Sequence, residues 1–389
     1  MLNEITLLHP ARRTDSLGFS DIVKIRNRVF AMKQSGMSIL QLEGGEPFAP
    51  TPDFVKEAMK RALDENQTRY AASSGIAPLL EAIRAKLAER NGLNITTEQV
   101  IVTAGGMHAL FCAFQATVNE GDEVLLFSPY WTPIRDLVAY AGGKPTLVPW
   151  EEVRNGSLTE ALESRLTGRT RIIYVNSPAN PTGDVLTRSQ LEEIARFATT
   201  NNLVVISDEA YEDVVYDDPH ISIASLPEMF SRTISVFTLS KSYSMTGWRV
   251  GYIAADDRWM EVLRKLVLNS VNGVSTPTQY ATVAAISDRS THLAKMRDEY
   301  RLRRDLLCKG VSDAGFGCVP PRGAFYLFAD VRSRLGSDSW KAMNELLEKT
   351  GIATVPGVVF GPHGEGHLRM SYSNPIETIE AAIAAFKKL

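Results

Sequence analysis

Two hydrophobic periodicities alternate along most of the chain. Short apolar runs typical of buried strands are separated by longer segments in which apolar residues recur every three or four positions, as in helices. The strand-like runs lie at residues 100–103, 123–127, 146–148, 171–175, 203–207, 233–237 and 250–254. The helical patterns cover residues 52–64, 77–89, 107–118, 189–199 and 259–271. This alternation predicts an α/β fold with a mostly parallel seven-stranded sheet flanked by helices on both faces.

The pattern changes after Pro277. One long charged and apolar helical pattern runs from Tyr280 to Ser312, and strands near 325–329 and 352–355 and helices near 339–349 and 376–387 follow it. This grouping predicts a second, smaller α+β domain. We expect three parts: an N-terminal arm with part of the small domain at 1–50, a large domain at 51–280, and a small C-terminal domain at 281–389.

Charge and composition exclude several classes of function. The 389 residues include 42 Lys and Arg against 45 Asp and Glu, and neither sign is gathered into a block, so neither a nucleic-acid nor a membrane partner is expected. The first ten residues do not resemble a secretory signal. Cys112, Cys308 and Cys318 form no CxxC pair, and we expect buried thiols in a reducing cytoplasm.

One spacing resembles a metal site. His363 and His367 flank Glu365, but the glycines between them disfavour the helix that would bring both imidazoles to one face. A mobile surface loop without a metal is the expected structure.

The segment around Lys241 carries the strongest chemical signal. The apolar strand that includes Phe237 ends in the small hydroxylic residues that surround this lysine, which places the amine at the edge of a sheet. Such an amine can form a Schiff base with a carbonyl cofactor, and Arg249 supplies a guanidinium suited to a phosphate. A solvated loop lysine is the alternative, but it does not explain the residues at the neighbouring strand ends.

Two further strand ends fit parts of a phosphorylated aromatic aldehyde. After Thr103 the chain turns through Gly105 and Gly106 into a helix whose first amides can hold phosphate, although a glycine pair is also common in plain turns. Trp131 follows the next strand, where its indole can stack on a flat ring or simply belong to the core or rim.

Two polar residues complete the series of strand ends. Asn180 lies in an Asn-Pro-Thr-Gly turn, where turn chemistry alone explains it, yet its amide can also donate to a phenolate oxygen. Asp208 ends a very apolar strand, so its carboxylate requires a cationic partner such as a protonated pyridine nitrogen. A magnesium ion is the rival partner, but the chain lacks the phosphate loop that usually accompanies one.

Together these motifs resemble the class I and II aminotransferases, fold type I enzymes that use pyridoxal 5'-phosphate, and in particular aspartate aminotransferase-like members. The resemblance extends from Gly44 to Tyr372, and it depends on the order and spacing of the motifs. It implies that Lys241 is both the Schiff-base lysine and the proton shuttle, and that Asp208 pairs with the pyridine nitrogen. Tyr211 and Asn180 would bond to the phenolic oxygen.

The resemblance also implies how the remaining groups are bound. The phosphate would be held by Gly106, Met107, Thr238, Ser240 and Arg249. Trp131 would stack on the ring, and Arg369 would clamp the substrate α-carboxylate beside Gly45 and Asn180. Tyr70 would reach the cofactor phosphate of the neighbouring subunit, which implies a homodimer with shared active sites.

The expected activity is ping-pong transfer of an amino group between an L-amino acid and a 2-oxo acid in the cytoplasm. The same cofactor residues would suit a lyase on this fold, such as a C–S lyase or an enzyme like ACC synthase. A more remote alternative is a ligand-binding regulator without turnover. The complete set of Lys241, Asp208 and Arg369 and the lack of an attached DNA-binding segment argue against a regulator.

The amino donor is predicted from Met107, the position directly after the glycine pair. Aspartate-selective relatives often carry a lysine where this chain has Met107, which cannot pair with a distal carboxylate. We therefore expect a neutral or aromatic donor to be favoured over aspartate, with Leu17, Phe19 and Phe360 as candidate contacts. Arg12 and Arg13 in the N-terminal arm remain candidates for binding a dicarboxylate, although solvated arginines are typical of an exposed terminus.

Overall fold

The computed structural model describes residues 11, 14–15, 17–387 and 389. Over these residues the chain forms helices α1 to α14 and strands β1 to β12. The helices are α1 (Asp21–Gln34), α2 (Asp53–Asp64), α3 (Ala77–Asn91), α4 (Gly106–Thr117), α5 (Pro133–Tyr140), α6 (Trp150–Asn155), α7 (Leu158–Glu163), α8 (Arg188–Thr200), α9 (Asp257–Ser270), α10 (Thr276–Ile286), α11 (His292–Asp313), α12 (Arg332–Leu335), α13 (Ser339–Thr350) and α14 (Ile376–Phe386). The strands are β1 (Leu40–Gln41), β2 (Val100–Thr103), β3 (Glu123–Ser128), β4 (Lys144–Pro149), β5 (Thr170–Asn176), β6 (Val204–Asp208), β7 (Thr233–Thr238), β8 (Gly251–Ala255), β9 (Tyr326–Asp330), β10 (Ile352–Ala353), β11 (Val355–Pro356) and β12 (His367–Ser371).

The predicted seven-stranded sheet is confirmed, in the order β2-β8-β7-β6-β5-β3-β4. The strands β4, β3, β5, β6 and β7 pair in parallel, and β8 runs antiparallel to both β7 and β2. Helices cover both faces, which is why the strands are continuous apolar runs rather than alternating ones. Because the parallel strands point the same way, their carboxyl ends lie along one edge, where the polar residues that follow them meet.

A second core forms around two small sheets. One sheet pairs β1 with β10 in parallel, and the other has the order β11-β12-β9 with antiparallel neighbours. Residues of α1, α11, α13 and α14 pack with these strands in a single buried cluster. The single strand predicted at 352–355 is wrong in detail, because Ile352 pairs with Leu40 whereas Val355 pairs with Arg369 in the other sheet.

The long helical pattern from Tyr280 to Ser312 is two helices, so the prediction of one segment is wrong. α10 ends at Ile286 and α11 begins at His292. Between them the carboxylate of Asp288 accepts hydrogen bonds from the amide and the hydroxyl of Ser290, at 2.9 and 2.8 Å. Side chains of this kind compete with the helical backbone bonds and favour a break.

The break bears on where the domains divide. Ala281, Ala285 and Ile286 of α10 pack in the cluster that contains Val102 of β2 and Tyr252 of β8, on the large sheet. We propose that the division between the large and small domains falls in the 287–291 link rather than at residue 280.

The expectation of three free thiols is also wrong. Cys308 on α11 and Cys318 in the turn before β9 form a disulfide, with ten residues of sequence separation. The turn reverses at Gly315 and brings the two together, which spacing alone does not reveal. Cys112 is free and buried, and burial raises the pKa of its thiol to about 11.

The two histidines predicted in a mobile loop occupy defined positions instead. His363 lies in a short 3-10 turn with its Nδ1 3.0 Å from the hydroxyl of Ser128, and His367 opens β12 and stacks on Phe328. Pairing of β12 with β9 and β11 orders this segment. In the described part of the chain, no helix combines the length and apolarity that a bilayer crossing needs.

Candidate active site

One cavity of about 370 Å³ opens at the carboxyl edge of the large sheet, between that sheet and the small-domain strands. Almost all the residues proposed from the sequence line it: Gly45, Gly106, Met107, Trp131, Asn180, Asp208, Tyr211, Thr238, Ser240, Lys241, Arg249 and Arg369. Residues that are far apart in sequence meet there because β5, β6 and β7 end side by side.

Lys241 lies in the turn after β7 with its amine inside the cavity. The Nζ atom donates to the carbonyl oxygen of Gly45 at 2.7 Å and lies 5.7 Å from the ring centre of Tyr211. Burial lowers the pKa of Lys241 to about 8, while the carboxylate of Glu46 acts in the opposite direction. A lowered pKa increases the fraction of neutral amine near neutral pH, which favours a nucleophilic lysine.

Asp208 ends β6 as a buried carboxylate. It accepts hydrogen bonds from the Tyr174 hydroxyl at 2.7 Å and the Ala210 amide at 3.2 Å, and within the described chain no cationic side chain forms an ion pair with it. Burial raises the pKa of Asp208 to about 6. Such a carboxylate is costly without a positive partner, and a ring nitrogen in the adjacent cavity would supply one.

Arg369 lies at the other side of the cavity, on β12, with only 2% of its surface exposed. Its Nη1 donates to the Asn180 side-chain oxygen at 3.0 Å and its Nη2 to the Glu43 carbonyl at 2.9 Å, while its Nε is buried without a partner among the described residues. Burial lowers the pKa of Arg369. A fixed, incompletely bonded guanidinium is suited to a carboxylate.

The end of the cavity near α4 has the features of a phosphate cradle. The Arg249 guanidinium donates to the carbonyl of Thr246 at 2.7 Å and lies against Gly105, where an added Cβ would come within 2.7 Å of Nη2. The Thr238 hydroxyl donates to the Ser240 hydroxyl at 2.9 Å beside it. α4 begins at Gly106, so its first amides point toward the same space.

These features fit pyridoxal 5'-phosphate from end to end. Arg249, the hydroxyls of Thr238 and Ser240 and the start of α4 suit the phosphate, and Asp208 suits a protonated ring nitrogen. The narrow gap between Gly105 and Arg249 leaves no room for a larger side chain at residue 105. The donor set therefore matches the group that the resemblance implies.

Sequence reasoning missed two tyrosines of this site. The Tyr326 hydroxyl is 2.9 Å from that of Tyr211, and the Arg369 guanidinium lies 4.4 Å over the Tyr326 ring. Tyr174 lies within the apolar strand β5 and donates to Asp208, a contact that the strand pattern does not predict. A tyrosine within a buried strand needs a partner for its hydroxyl, and that was the signal available in the sequence.

A second missed feature is the polar network behind β6. Glu209 points away from the cavity and is bonded by the hydroxyls of Ser207 and Ser222 and by His220 at 2.8 Å. Burial would lower the pKa of His220, but the hydrogen bond and charge of Glu209 raise it instead. Glu209, Glu212 and His220 are close enough to share a metal ion. Lys86 already supplies a cation to Glu212 at 2.5 Å, so we interpret the cluster as a buried ion-pair network.

Several other predicted contacts lie outside the cavity. Tyr70 is 93% exposed and does not line the cavity of its own chain. Leu17 and Phe19 are exposed, and Phe360 is buried 4.8 Å beneath the Arg369 guanidinium. None of these three lines the cavity, whose apolar wall is formed by Ile22, Met107, Leu110 and Trp131. Arg12 and Arg13 lie outside the described residues.

Comparison with known proteins places the whole chain in one family. The model of the family described as aminotransferase class I and II matches residues 37–386. The chain is 38% identical to the probable aspartate/prephenate aminotransferase of Aquifex aeolicus, covering 97% of this chain and 98% of that protein. It is 36% identical to aromatic-amino-acid aminotransferase 2 of Thermococcus litoralis, covering 93% and 94% of the two chains.

A solved structure agrees with these sequence matches. The aspartate aminotransferase of Thermus thermophilus, solved with maleate, superimposes with a TM-score of 0.94 at 35% identity, covering 98% of this chain and all of that one. The predicted resemblance and fold class are therefore confirmed. The chain belongs to the class I and II aminotransferases, and it is a pyridoxal-phosphate-dependent aminotransferase.

Proposed function

We propose that this cavity transfers amino groups between L-amino acids and 2-oxo acids in a ping-pong cycle. The observation that carries the proposal is the convergence of Lys241, Asp208, Arg249 and Arg369 on one cavity, each suited to a different part of cofactor or substrate. Pyridoxal 5'-phosphate, when bound, supplies an electron sink for the substrate carbon.

Each side chain has a separate task in this proposal. Arg369, with Asn180 and Gly45 beside it, orients the substrate carboxylate, and Lys241 Nζ takes the proton from the substrate carbon and returns it. Asp208 would keep the ring nitrogen of the bound cofactor protonated, and Tyr211 and Asn180 would donate to its phenolic oxygen. Asp208 and Arg369 are buried, which strengthens the charge interactions that they make.

We further propose that a large neutral or aromatic amino acid is a better donor than aspartate. Met107 takes the place where a cation would meet a distal carboxylate, and Ile22, Leu110 and Trp131 extend the apolar wall. A buried carboxylate without a cation costs several kcal/mol. The names of the relatives do not favour one donor, since they include both aspartate/prephenate and aromatic-amino-acid aminotransferases.

A donor panel tests this preference. With 2-oxoglutarate as acceptor, kcat/KM for phenylalanine, tyrosine, methionine and leucine should exceed that for aspartate. If kcat/KM for aspartate is higher by about tenfold, or about 1.4 kcal/mol of transition-state binding, the Met107 argument is wrong.

Met107→Lys should shift the ranking of donors toward aspartate. Loss of an aspartate preference in Arg12→Gln or Arg13→Gln would locate the missing cation in the arm. Release of ammonia instead of transfer would indicate a lyase.

We also propose a homodimer in which Tyr70 of each chain completes the phosphate site of the other, because Tyr70 is too exposed to serve its own cavity. A cytoplasmic location remains part of the proposal. The Cys308–Cys318 disulfide is an uncommon feature in a reducing compartment.

A further inference from the structure

His108 is a polar residue near the phosphate end of the cavity to which the proposed chemistry gives no task. It is the third residue of α4, directly after Met107, and it is half-buried without lining the cavity. Its ring lies between the turn that follows β2 and the last turn of α9, and both of its nitrogens have partners there. These partners decide which form of the imidazole the structure holds.

The protonation state of the ring follows from its hydrogen bonds. The Nδ1 atom is 3.1 Å from the backbone nitrogen of Ala104, which can only donate, so Nδ1 must be the unprotonated acceptor. The Nε2 atom is 2.8 Å from the Ser270 hydroxyl, which already donates its proton to the carbonyl of Leu266 at 2.6 Å. Nε2 therefore carries the proton and donates to Ser270, with the Cys112 sulfur 3.4 Å away as a weaker partner. Burial lowers the pKa of His108, which favours this neutral form.

Through Ala104, the ring reaches the groups proposed to hold phosphate. His108 accepts from the N–H of Ala104, and the Arg249 guanidinium donates to the carbonyl oxygen of the same residue at 3.4 Å. The next residue is Gly105, where an added Cβ would come within 2.7 Å of Arg249 Nη2, so the turn and the guanidinium are closely packed. A displacement of Ala104 would therefore change the position of Arg249 relative to the first amides of α4.

We infer that His108 is a positioning residue for the cofactor phosphate, because its imidazole fixes the backbone of Ala104, which in turn contacts Arg249 and leads into α4. The bond from the other side of the ring to Ser270 ties this turn to α9. The inference rests on the proposed function, since it concerns the phosphate end of the same cavity. It predicts a contribution to binding of the phosphate group in particular, which a general contribution to folding would not produce.

The test compares two forms of the cofactor on the cofactor-free protein. Pyridoxal lacks the phosphate of pyridoxal 5'-phosphate, and the dissociation constants of both can be measured from the visible absorption band. His108→Leu removes the acceptor, and it should weaken binding of the phosphorylated form about fivefold or more and that of pyridoxal less than about twofold. His108→Gln places an amide oxygen where it can accept from the Ala104 N–H, as in a capping box, and should recover most of the affinity.

Thr117→Ala is the matched control, because it removes a side-chain bond to the backbone at the other end of α4. There the Thr117 hydroxyl donates to the carbonyl of Ala113 at 2.7 Å. Both dissociation constants should stay unchanged in this variant. If His108→Leu does not fold, Ser270→Ala takes its place, and loss of the Ser270 acceptor should weaken binding of the phosphorylated form about twofold to threefold and leave pyridoxal binding unchanged.

Unchanged binding of pyridoxal 5'-phosphate in His108→Leu, or in Ser270→Ala where that variant is used instead, would overturn the inference. Equal weakening of both cofactor forms, or no recovery in His108→Gln, would overturn it as well. Wild-type protein that bound pyridoxal as tightly as its phosphate would overturn the inference together with the assignment of the phosphate end. Wild-type protein that transfers no amino group would instead refute the proposed function, and the comparison of the two cofactor forms would still decide the role of His108.

Discussion

The reactivity of the site depends first on how single side chains are desolvated. Lys241 is partly buried, and this burial disfavours its ammonium form, so its pKa is lowered from 10.5 to about 8. Below pH 8 the amine is mostly protonated and cannot attack a carbonyl carbon. Near pH 7 about a tenth of it is already neutral, far more than for an ordinary lysine.

This pKa predicts how the cofactor-free protein recombines with pyridoxal 5'-phosphate. The rate at which the visible absorption band appears should rise between pH 7 and 8 and level off above about pH 9. Lys241→Ala should bind the cofactor without that band and lose nearly all turnover, because the same amine moves the proton. A recombination rate that still increased in proportion to hydroxide between pH 9 and 10 would contradict the lowered pKa. Normal transamination by Lys241→Ala would refute the proposed role of Lys241.

The neighbouring acids Asp208 and Glu209 are predicted to differ in function. Asp208→Ala should lower kcat by several orders of magnitude, since an unprotonated ring is a poor electron sink, and Asp208→Glu should restore part of the rate. Glu209→Gln is the comparison, because Glu209 faces the network of Ser222 and His220 and should chiefly lower the thermal midpoint. Steady-state kinetics and thermal unfolding of both variants separate the roles. Near-native activity in Asp208→Ala would show that the assignment is wrong.

At the scale of elements, function depends on the ends of strands and the turns that follow them. The turn after β7 carries two non-glycine residues with positive φ, Ser244 and Arg249, both at 53°. Such a conformation costs energy at a residue with a side chain. At Arg249 it accompanies a guanidinium held beside Gly105 by hydrogen bonds to backbone carbonyls. This strain occurs at the residue whose guanidinium is proposed to meet the phosphate.

The link from α11 to β9 gives a prediction about stability. A disulfide closing a loop of this length reduces the entropy of the unfolded chain and is worth about 2 to 3 kcal/mol. Cys318→Ser should therefore lower the thermal midpoint, and reductant should have the same effect on the wild type. Cys112→Ser serves as the control, because it leaves the bond intact. Thiol titration of the unfolded, unreduced protein should find one thiol, and a count of three would contradict the bond.

At the scale of the whole molecule, the proposed dimer makes the activity a property of two chains. Tyr70→Phe should weaken cofactor retention with little effect on dimerisation, because the exposed hydroxyl is proposed to reach the partner's phosphate. Light scattering gives the oligomeric state, and dialysis followed by absorbance gives cofactor retention. When Tyr70→Phe and Lys241→Ala subunits are mixed, the activity of the mixture should change in the ratio expected if each active site is built from residues of two chains. A fully active monomer would refute the proposal.

The sequence by itself determined the large sheet and identified most of the residues proposed for the site, which line one cavity. Buried parallel strands must be continuous apolar runs, so β2 to β8 were visible as such, and function sits where those runs end in polar residues. Lys241, Asp208 and Asn180 were identifiable because each lies at or shortly after the end of an apolar strand, and Arg249 because it follows Lys241 by eight positions. Turn chemistry alone could not explain all of them together.

Only the tertiary structure decided which of these side chains meet. The contacts of Tyr326 with Tyr211 and Arg369 and the disulfide of Cys308 with Cys318 join segments whose local patterns carry no sign of one another. Periodicity reports which face of an element is buried, but not which element covers it. That choice depends on packing between the two domains, where shape and solvation are settled by the whole chain.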